Sequence, residues 1–193
     1  MPVEYLKETP SQTGGPYVHI GLLPVAAGIA SGTQENWHVL QGAGEHIRIE
    51  GLILDGSGHP VKDALVELWQ ADSEGRHNAG DFLGWGRTSA AFDTGEWAFE
   101  TIRPGVVPWR DGRPQARHVS LAIFARGINI HLNTRMYFPE DEAALAADPV
   151  LKSIEWVGRR KTLVATRVEG RSVPTYRFVI NIQGEDETVF FDV

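Results

Sequence analysis

The chain has 193 residues, a formal charge of −7 and no cysteine. This length favours a single domain, and the lack of cysteine excludes disulfides, zinc–thiolate sites, iron–sulfur clusters and a cysteine nucleophile. The acidic balance argues against a nucleic-acid-binding protein, whose surface is basic. The sequence shows neither a signal peptide nor an apolar run that could span a membrane, so we expect a cytoplasmic protein without membrane contact.

Residues 1–44 differ in pattern from the rest of the chain. They are rich in glycine and proline with polar spacers, which predicts an extended N-terminal arm with loops and one short helical turn near 34–40. Apolar side chains such as Tyr17, Leu22 and Trp37 recur along this arm. We therefore expect it to pack on its own domain or on a neighbouring chain, with a second unit over 45–193.

From residue 45 onward the pattern is one of short strands separated by turns. The segment Asp55-Gly56-Ser57-Gly58 is a strong turn signal, because Asp and Gly tolerate the positive φ of tight turns. Trp97 and Phe99 alternate with polar neighbours, which indicates a strand with one buried face. The predicted strands are 47–54, 65–70, 96–101, 119–125, 134–138, 163–168, 175–182 and 188–191.

One short helix is predicted over 140–147, since alanine, glutamate and leucine dominate there and acidic residues occupy the first turn. Asp148-Pro149 ends or interrupts it. Many strands with almost no helix favour an all-β fold, namely a β-sandwich of mostly antiparallel strands.

Residue chemistry alone gives weak signals for a site. The chain has no Gly-x-Ser-x-Gly elbow, and the segment around Gly84 and Gly86 is too short for a phosphate loop. His77 lies in a predicted loop, and His118 opens a predicted strand, where a structural hydrogen bond is the commoner role. Because neither His-x-His nor His-Glu-x-x-His is present, a metal site is only weakly indicated.

A more specific pattern runs from Trp85 to Gly105. It combines Arg87-Thr88, an aromatic strand that ends in Phe99-Glu100-Thr101, and Ile102-Arg103-Pro104-Gly105. Further matching segments are Leu68-Trp69-Gln70-Ala71-Asp72, Pro108-Trp109, His118-Val119-Ser120-Leu121, and residues 9–17, 124–132 and 182–191. Over nearly the whole chain, these segments resemble the intradiol aromatic ring-cleaving dioxygenases.

The resemblance implies a ferric ion held by two tyrosinates and two histidines. By motif, the matching positions in this chain hold His77, Val107, His118 and Ser120. Both anionic phenolates and one imidazole are therefore missing, and two neutral imidazoles do not hold ferric iron tightly. The resemblance thus implies that Fe(3+) is bound by a homologous beta chain in an alpha/beta hetero-oligomer, and that this chain supplies no iron ligand and no catalytic residue.

The resemblance also implies a substrate pocket between the two chains, in which protocatechuate and dioxygen react to give 3-carboxy-cis,cis-muconate. Thr13, Gly15, Pro16 and Tyr17 of the arm would line it, since glycine permits close backbone approach and proline fixes the chain direction. Arg135 would complement the substrate carboxylate. Without the resemblance, a surface turn and a surface ion pair are the commoner roles of such residues.

Two alternatives stay open. A binding module of the transthyretin kind would share the sandwich and the missing ligands, but it has no reason to keep both the arm motif and Arg135. A homomeric intradiol dioxygenase is opposed by the absent tyrosines. A neighbouring gene that encodes a homologue with all the iron ligands would favour the two-chain enzyme over both.

Overall fold

The structure, a computed structural model, describes residues 17–25, 27–29, 37–128 and 130–192. Its strands are β1 (His46–Leu54), β2 (Leu65–Trp69), β3 (Trp85–Ser89), β4 (Glu96–Ile102), β5 (His118–Phe124), β6 (Leu132–Tyr137), β7 (Thr166–Val168) and β8 (Thr175–Asn181). Its helices are α1 (Tyr17–Leu22), α2 (Glu142–Ala147), α3 (Pro149–Ser153) and a 3₁₀ helix (Val157–Leu163). Within those ranges, none of the helices combines the length and the apolar character that a membrane crossing requires.

The strands form two sheets. Sheet A has the order β4-β1-β8-β7, and sheet B has the order β3-β2-β5-β6. Neighbouring strands are antiparallel except β1 and β8, which run parallel. The prediction of an all-β sandwich with mostly antiparallel strands is confirmed.

The core lies between the sheets because alternate residues of each strand face inward. In β5, Val119, Leu121 and Ile123 are buried in the core, whereas Ser120 points to the outer face of sheet B. The largest inward side chains of the core are Trp97, Phe99, Phe138, Tyr176, Phe178, Ile47, Ile49 and Ile53. Burial of each stabilises the fold by roughly 1.5–3 kcal/mol.

Gly51 marks the closest approach within sheet A. It lies in the middle of β1, and a Cβ at this position would come within 1.9 Å of the carbonyl oxygen of Phe178 and 2.7 Å of the Trp97 ring. Only glycine therefore permits β8 and the Trp97 indole to pack this closely on β1.

A buried glutamine ties the two sheets together near the end of β2. Gln70 Nε2 donates to the carbonyl oxygen of Ile102 at 2.9 Å, and its Oε1 accepts from the Thr101 hydroxyl at 2.8 Å. Ile102 ends β4 of sheet A, so this amide joins the ends of strands from opposite layers. It thereby anchors the start of the loop that carries His77.

The predicted helix begins slightly later than expected and is followed by a second one. Asp141 caps α2, since its side chain accepts from the backbone N–H of Ala144. Asp148 accepts from the N–H groups of Val150 and Leu151, both at 2.8 Å, and so starts α3. The prediction that Asp148-Pro149 ends or interrupts the helix is confirmed, because α2 ends at Ala147 and Asp148 is its C-cap. The same pair then forms the N-cap and first residue of α3.

Other boundaries also differ from the predictions. Residues 157–163 form the 3₁₀ helix. Of the predicted strand 163–168, Thr166–Val168 forms β7, and Val164 makes an isolated bridge to Tyr137. The strand predicted at 188–191 is reduced to a single bridge between Phe191 and Asn133. β3 was not among the predicted strands, and its burial does not alternate along its length.

The described parts of the arm contain a helix where only loops were expected, namely α1. The helical turn predicted near 34–40 falls partly outside the described residues. Trp37 and His38 form a turn, and Val39 makes a bridge to Glu100 of β4. The arm thus pairs with the edge of sheet A before β1 begins.

Candidate functional site

An open groove of about 490 Å³ lies on the outer face of sheet B. Its floor consists of outward side chains from all the strands of that sheet, and its walls come from the loop before β5, from α3 and from the C-terminal segment. The lining residues include Glu67, Trp69, Trp85, Trp109, Arg110, Ser120, Ala122, Asn133, Arg135, Val150, Ser153, Phe191 and Asp192. We call this concavity the outer groove. Aromatic rings and arginines lie in its lining beside the carboxylates of Glu67 and Asp192, and the rings and arginines suit a planar anionic ligand.

Arg135 lies on β6 directly across from Ser120 of β5. Its Nη1 donates to the side-chain oxygen of Gln115 at 2.8 Å, and its Cζ lies 6.0 Å from the centre of the Phe191 ring. Among the described residues, no carboxylate forms an ion pair with Arg135; it interacts with uncharged groups, namely the amide of Gln115 and the hydroxyl of Tyr137. The guanidinium charge therefore remains available in the outer groove.

The partner of Arg135 is itself fixed in place. Gln115 is only 5% exposed, its backbone N–H donates to the carbonyl oxygen of Val107 at 3.0 Å, and its Nε2 donates to that of Pro108 at 3.3 Å. The loop that carries Val107 and the side chain of Arg135 are thus linked through one buried amide. Sequence reasoning missed Gln115, because nothing in its local sequence marks a buried glutamine.

His118 and Tyr137 face each other beside Arg135, at the end of the β5–β6 pair. His118 Nδ1 lies 2.8 Å from the carbonyl oxygen of Ala116, so it carries the proton of the neutral ring. Burial, together with the nearby charge of Arg135, lowers the pKa of His118 to about 4. His118 is therefore neutral at pH 7.

The fully buried carboxylate of Asp148 lies beside His118 and Tyr137 at this end of sheet B. Asp148 accepts from the N–H of Ala116 at 2.8 Å and from the hydroxyl of Tyr137 at 3.3 Å, in addition to the helix-capping bonds to α3. Burial and the charge of Asp148 raise the pKa of Tyr137, which keeps the phenol protonated. The Asp-Pro pair in the sequence predicted an interruption of the helix, but not the long-range bonds of Asp148 to Ala116 and Tyr137.

The positions that match the iron ligands of the family lie around the same end of sheet B. The exposed ring of His77 stacks on Trp69, with ring centres 5.5 Å apart and planes inclined by 4°. Val107 is aliphatic, and its carbonyl accepts from Gln115. His118 commits Nδ1 to a backbone carbonyl, and Ser120 lines the outer groove.

This donor set does not fit a ferric ion. It contains neither a phenolate nor a carboxylate, and anionic oxygen donors are what a hard trivalent cation requires. Over the part of the chain that the structure describes, no group of three or more His, Cys, Asp or Glu side chains is arranged to hold a metal ion.

The structure brings Arg135, His118 and Ser120 together, but it does not place the predicted arm residues with them. Thr13, Gly15 and Pro16 lie outside the described residues, and Tyr17 opens α1. The carbonyl oxygen at the end of α1, that of Leu22, accepts from Arg87 Nη1 at 3.1 Å on β3. Since β3 and β6 are opposite edges of sheet B, the described start of the arm lies across the sheet from Arg135. The substrate-binding role of the arm stays a prediction.

The fold is that of known dioxygenases. The family described as Dioxygenase matches residues 22–184. The solved dioxygenase domain of a carbohydrate-binding fusion protein from Streptomyces sp. SirexAA-E aligns with a TM-score of 0.58 at 19% identity, over 95% of this chain and 100% of that one. This likeness establishes a common architecture.

Curated relatives are closer in sequence. The protocatechuate 3,4-dioxygenase alpha chain of Pseudomonas putida is 50% identical over 200 residues, which covers 100% of both chains. The alpha chain of Burkholderia cepacia is 40% identical over 97% of this chain and 98% of its own length. The beta chain of the same organism is 35% identical over 75% of this chain and 67% of its own length. The chain belongs to the intradiol ring-cleaving dioxygenase family.

Proposed function

We propose that this chain is the alpha subunit of a two-chain protocatechuate 3,4-dioxygenase. In this proposal, a homologous beta chain holds Fe(3+), which supplies the redox chemistry, and the alpha chain helps to bind the substrate. Dioxygen cleaves the ring of protocatechuate to give 3-carboxy-cis,cis-muconate. The full-length likeness to two alpha chains and the partial likeness to a beta chain support this assignment. The cytoplasmic location stays a prediction.

The observation that carries the proposal is the state of Arg135. Its guanidinium reaches an aromatic-lined groove while its hydrogen-bond partner is a neutral amide. Protocatechuate carries a carboxylate away from the two hydroxylated carbons between which the ring opens. A planar guanidinium can donate two parallel hydrogen bonds to such a carboxylate. Arg135 therefore holds the substrate by the part of the molecule that does not react.

The arm completes the shared pocket in this proposal. Residues 1–44 contact the beta chain, and Thr13, Gly15, Pro16 and Tyr17 line the substrate cavity at the interface. The described start of the arm is fixed at the β3 edge through Leu22 and Arg87, and this edge lies opposite β6, the strand that carries Arg135. Correct placement of the substrate lowers the entropic part of the reaction barrier.

Arg135→Ala in the complex with the beta chain tests the proposal. Charge-assisted hydrogen bonds contribute about 1.5–3 kcal/mol, so the apparent affinity for protocatechuate should fall by about 10- to 100-fold. The carboxylate is held alike in ground and transition states, so kcat should change little. Steady-state kinetics with protocatechuate and with catechol, which lacks the carboxylate, provides the measurement.

Arg171→Ala is the matched control, because Arg171 is exposed. It should leave both substrates unaffected, and neither variant should change iron content or colour. If Arg135→Ala weakens both substrates equally, or leaves protocatechuate unaffected, Arg135 has a structural role and the proposed pocket is wrong at this position.

The metal assignment has its own test. The chain purified alone should contain no stoichiometric iron and should lack the absorption of a tyrosinate–iron complex, since the donors at the ligand positions do not fit ferric iron. Elemental analysis that finds one tightly held iron per chain, together with that absorption, would support a homomeric enzyme instead.

The oligomeric state of the chain distinguishes the two-chain enzyme from the binding-module alternative. Mixed with its beta homologue, the chain should sediment as one hetero-oligomer at micromolar concentration. Two species that sediment independently would favour the binding-module alternative.

A further inference from the structure

Gln115 is a polar side chain in an unusual position. It is only 5% exposed and lies in the loop between β4 and β5, yet each end of its amide has a partner of the right kind. Oε1 accepts from Arg135 Nη1 at 2.8 Å, and Nε2 donates to the carbonyl oxygen of Pro108 at 3.3 Å. The reversed amide would set a donor against the guanidinium and an acceptor against the carbonyl. The contacts therefore permit only one orientation.

This contact restrains Arg135 without neutralising it. A free arginine side chain loses rotamer entropy when it is immobilised on a ligand. The hydrogen bond to Gln115, with the nearby ring of Phe191, restrains the guanidinium before a ligand arrives. Because the amide is uncharged, the full positive charge remains, along with N–H donors that Gln115 does not use.

The opposite edge of sheet B shows what a charged partner does. There Arg87 donates through Nε to the carboxylate of Glu67 at 2.8 Å, and its charge is compensated within the chain. Glutamine and glutamate have nearly the same shape. The difference between the Arg87–Glu67 and Arg135–Gln115 contacts is therefore the charge of the residue that accepts from the arginine.

We propose that Gln115 is a positioning residue that makes the site selective for carboxylated catechols. This inference rests on the proposed role of Arg135. Gln115 directs the guanidinium into the outer groove and, as a neutral partner, leaves its charge for the carboxylate of the substrate.

Two variants of Gln115 distinguish its effect on the orientation of the Arg135 guanidinium from its effect on the charge of that group. Gln115→Glu keeps the shape and adds a compensating charge, so it should weaken protocatechuate binding about 10- to 100-fold, as Arg135→Ala does. Gln115→Met keeps the volume and removes the acceptor, so it should weaken binding by about 3- to 10-fold. Binding is measured by titrating protocatechuate into the alpha/beta complex without dioxygen, where no turnover occurs. Catechol is the matched ligand, and Gln183→Glu at an exposed position is the matched variant.

A double-mutant cycle tests whether Gln115 acts through Arg135. In the Arg135→Ala background, Gln115→Met should cause no further loss of protocatechuate affinity. Fully additive losses, or equal losses for protocatechuate and catechol, would show that Gln115 only supports the loop and would overturn the inference. Thermal unfolding of each complex checks the fold. If Gln115→Met does not fold, Gln115→Glu decides the question alone.

The outcomes also distinguish this inference from the proposed function. If Arg135→Ala has no effect that depends on the carboxylate, the proposed function fails at this site and the inference fails with it. If Arg135→Ala discriminates between the ligands but the Gln115 variants do not, the inference alone is wrong.

Discussion

Arg87 and Arg135 lie on opposite edge strands of the same sheet face, but in contrasting surroundings. Arg87 forms an ion pair with Glu67, lies 5.2 Å from the Trp37 ring and 5.0 Å from the Trp85 ring, and donates to a carbonyl of the arm. Its side chain is only 15% exposed. Arg135 has the neutral amide of Gln115 and the ring of Phe191 near it.

The partners decide what an arginine does. The Arg87 guanidinium, with a carboxylate and two indole rings around it, is occupied by internal contacts and joins the arm to sheet B. The Arg135 guanidinium is held by a neutral amide, which leaves the uncompensated charge that its proposed role in ligand binding requires. Both residues line or border the same aromatic face, so residue type and strand position alone would not distinguish them.

Asp148→Ala should produce the largest effect, because it removes the buried carboxylate of the Arg135 corner. That carboxylate accepts from Ala116, Tyr137, Val150 and Leu151, and all of these donors would lose their acceptor. We expect the free energy of unfolding to fall by about 3–5 kcal/mol. Urea denaturation provides the measurement. Asp81→Ala, at an exposed position, should change stability little; an equally small effect at 148 would contradict the role of Asp148 as an anchor.

The pH dependence of stability should show the lowered pKa of His118, which is caused first by burial and second by the charge of Arg135. The pKa of His118 lies near 4 in the folded chain and near 6.5 when unfolded. Between these values the unfolded chain binds more protons, so stability is complete above about pH 6.5 and is lost as the pH falls toward about 4. The loss from this residue is at most about 3 kcal/mol.

Two variants isolate this contribution. His118→Gln should remove the contribution of His118 to the difference in free energy of unfolding between pH 7 and pH 5, as measured by denaturation curves. Arg135→Ala should shrink it, since the charge of Arg135 is the second cause of the lowered pKa after burial. An NMR titration that finds the His118 pKa unchanged in Arg135→Ala would show that the two side chains are electrostatically independent.

Arg87→Lys should have the smallest effect of the three. Lysine keeps the positive charge but loses the planar contact with the indole rings and part of the hydrogen bonding. We expect the free energy of unfolding to fall by about 1–2 kcal/mol. We also expect faster proteolysis near α1. Protocatechuate affinity should change far less than in Arg135→Ala. A selective loss of affinity for the carboxylated substrate would mean that Arg87 also serves the ligand, and the comparison would fail.

Several features were predictable from local sequence because their causes are local. The alternation of Trp97 and Phe99 predicted β4, and the Asp55 turn is present as expected. Its carboxylate accepts from the N–H groups of Ser57 and His59, and Gly58 has φ of +77°. β3 escaped prediction because its outward residues, Trp85 and Arg87, are partly covered by Trp37 of the arm. The 3₁₀ helix Val157–Leu163 was not predicted either, and it takes in the first residue of the predicted strand 163–168.

The sequence by itself determined the sandwich and the family resemblance, and it predicted the loss of a phenolate at Val107 and of an imidazole at Ser120, since each of these follows from residue identity in order. Only the tertiary structure decided what surrounds Arg135. Gln115 is 20 residues from it in the chain, and Phe191 lies in the C-terminal segment. The charge of a site depends on which side chains the fold brings within hydrogen-bond distance. Here the pairing of β5 with β6 and the path of the loop before β5 bring Gln115 to Arg135.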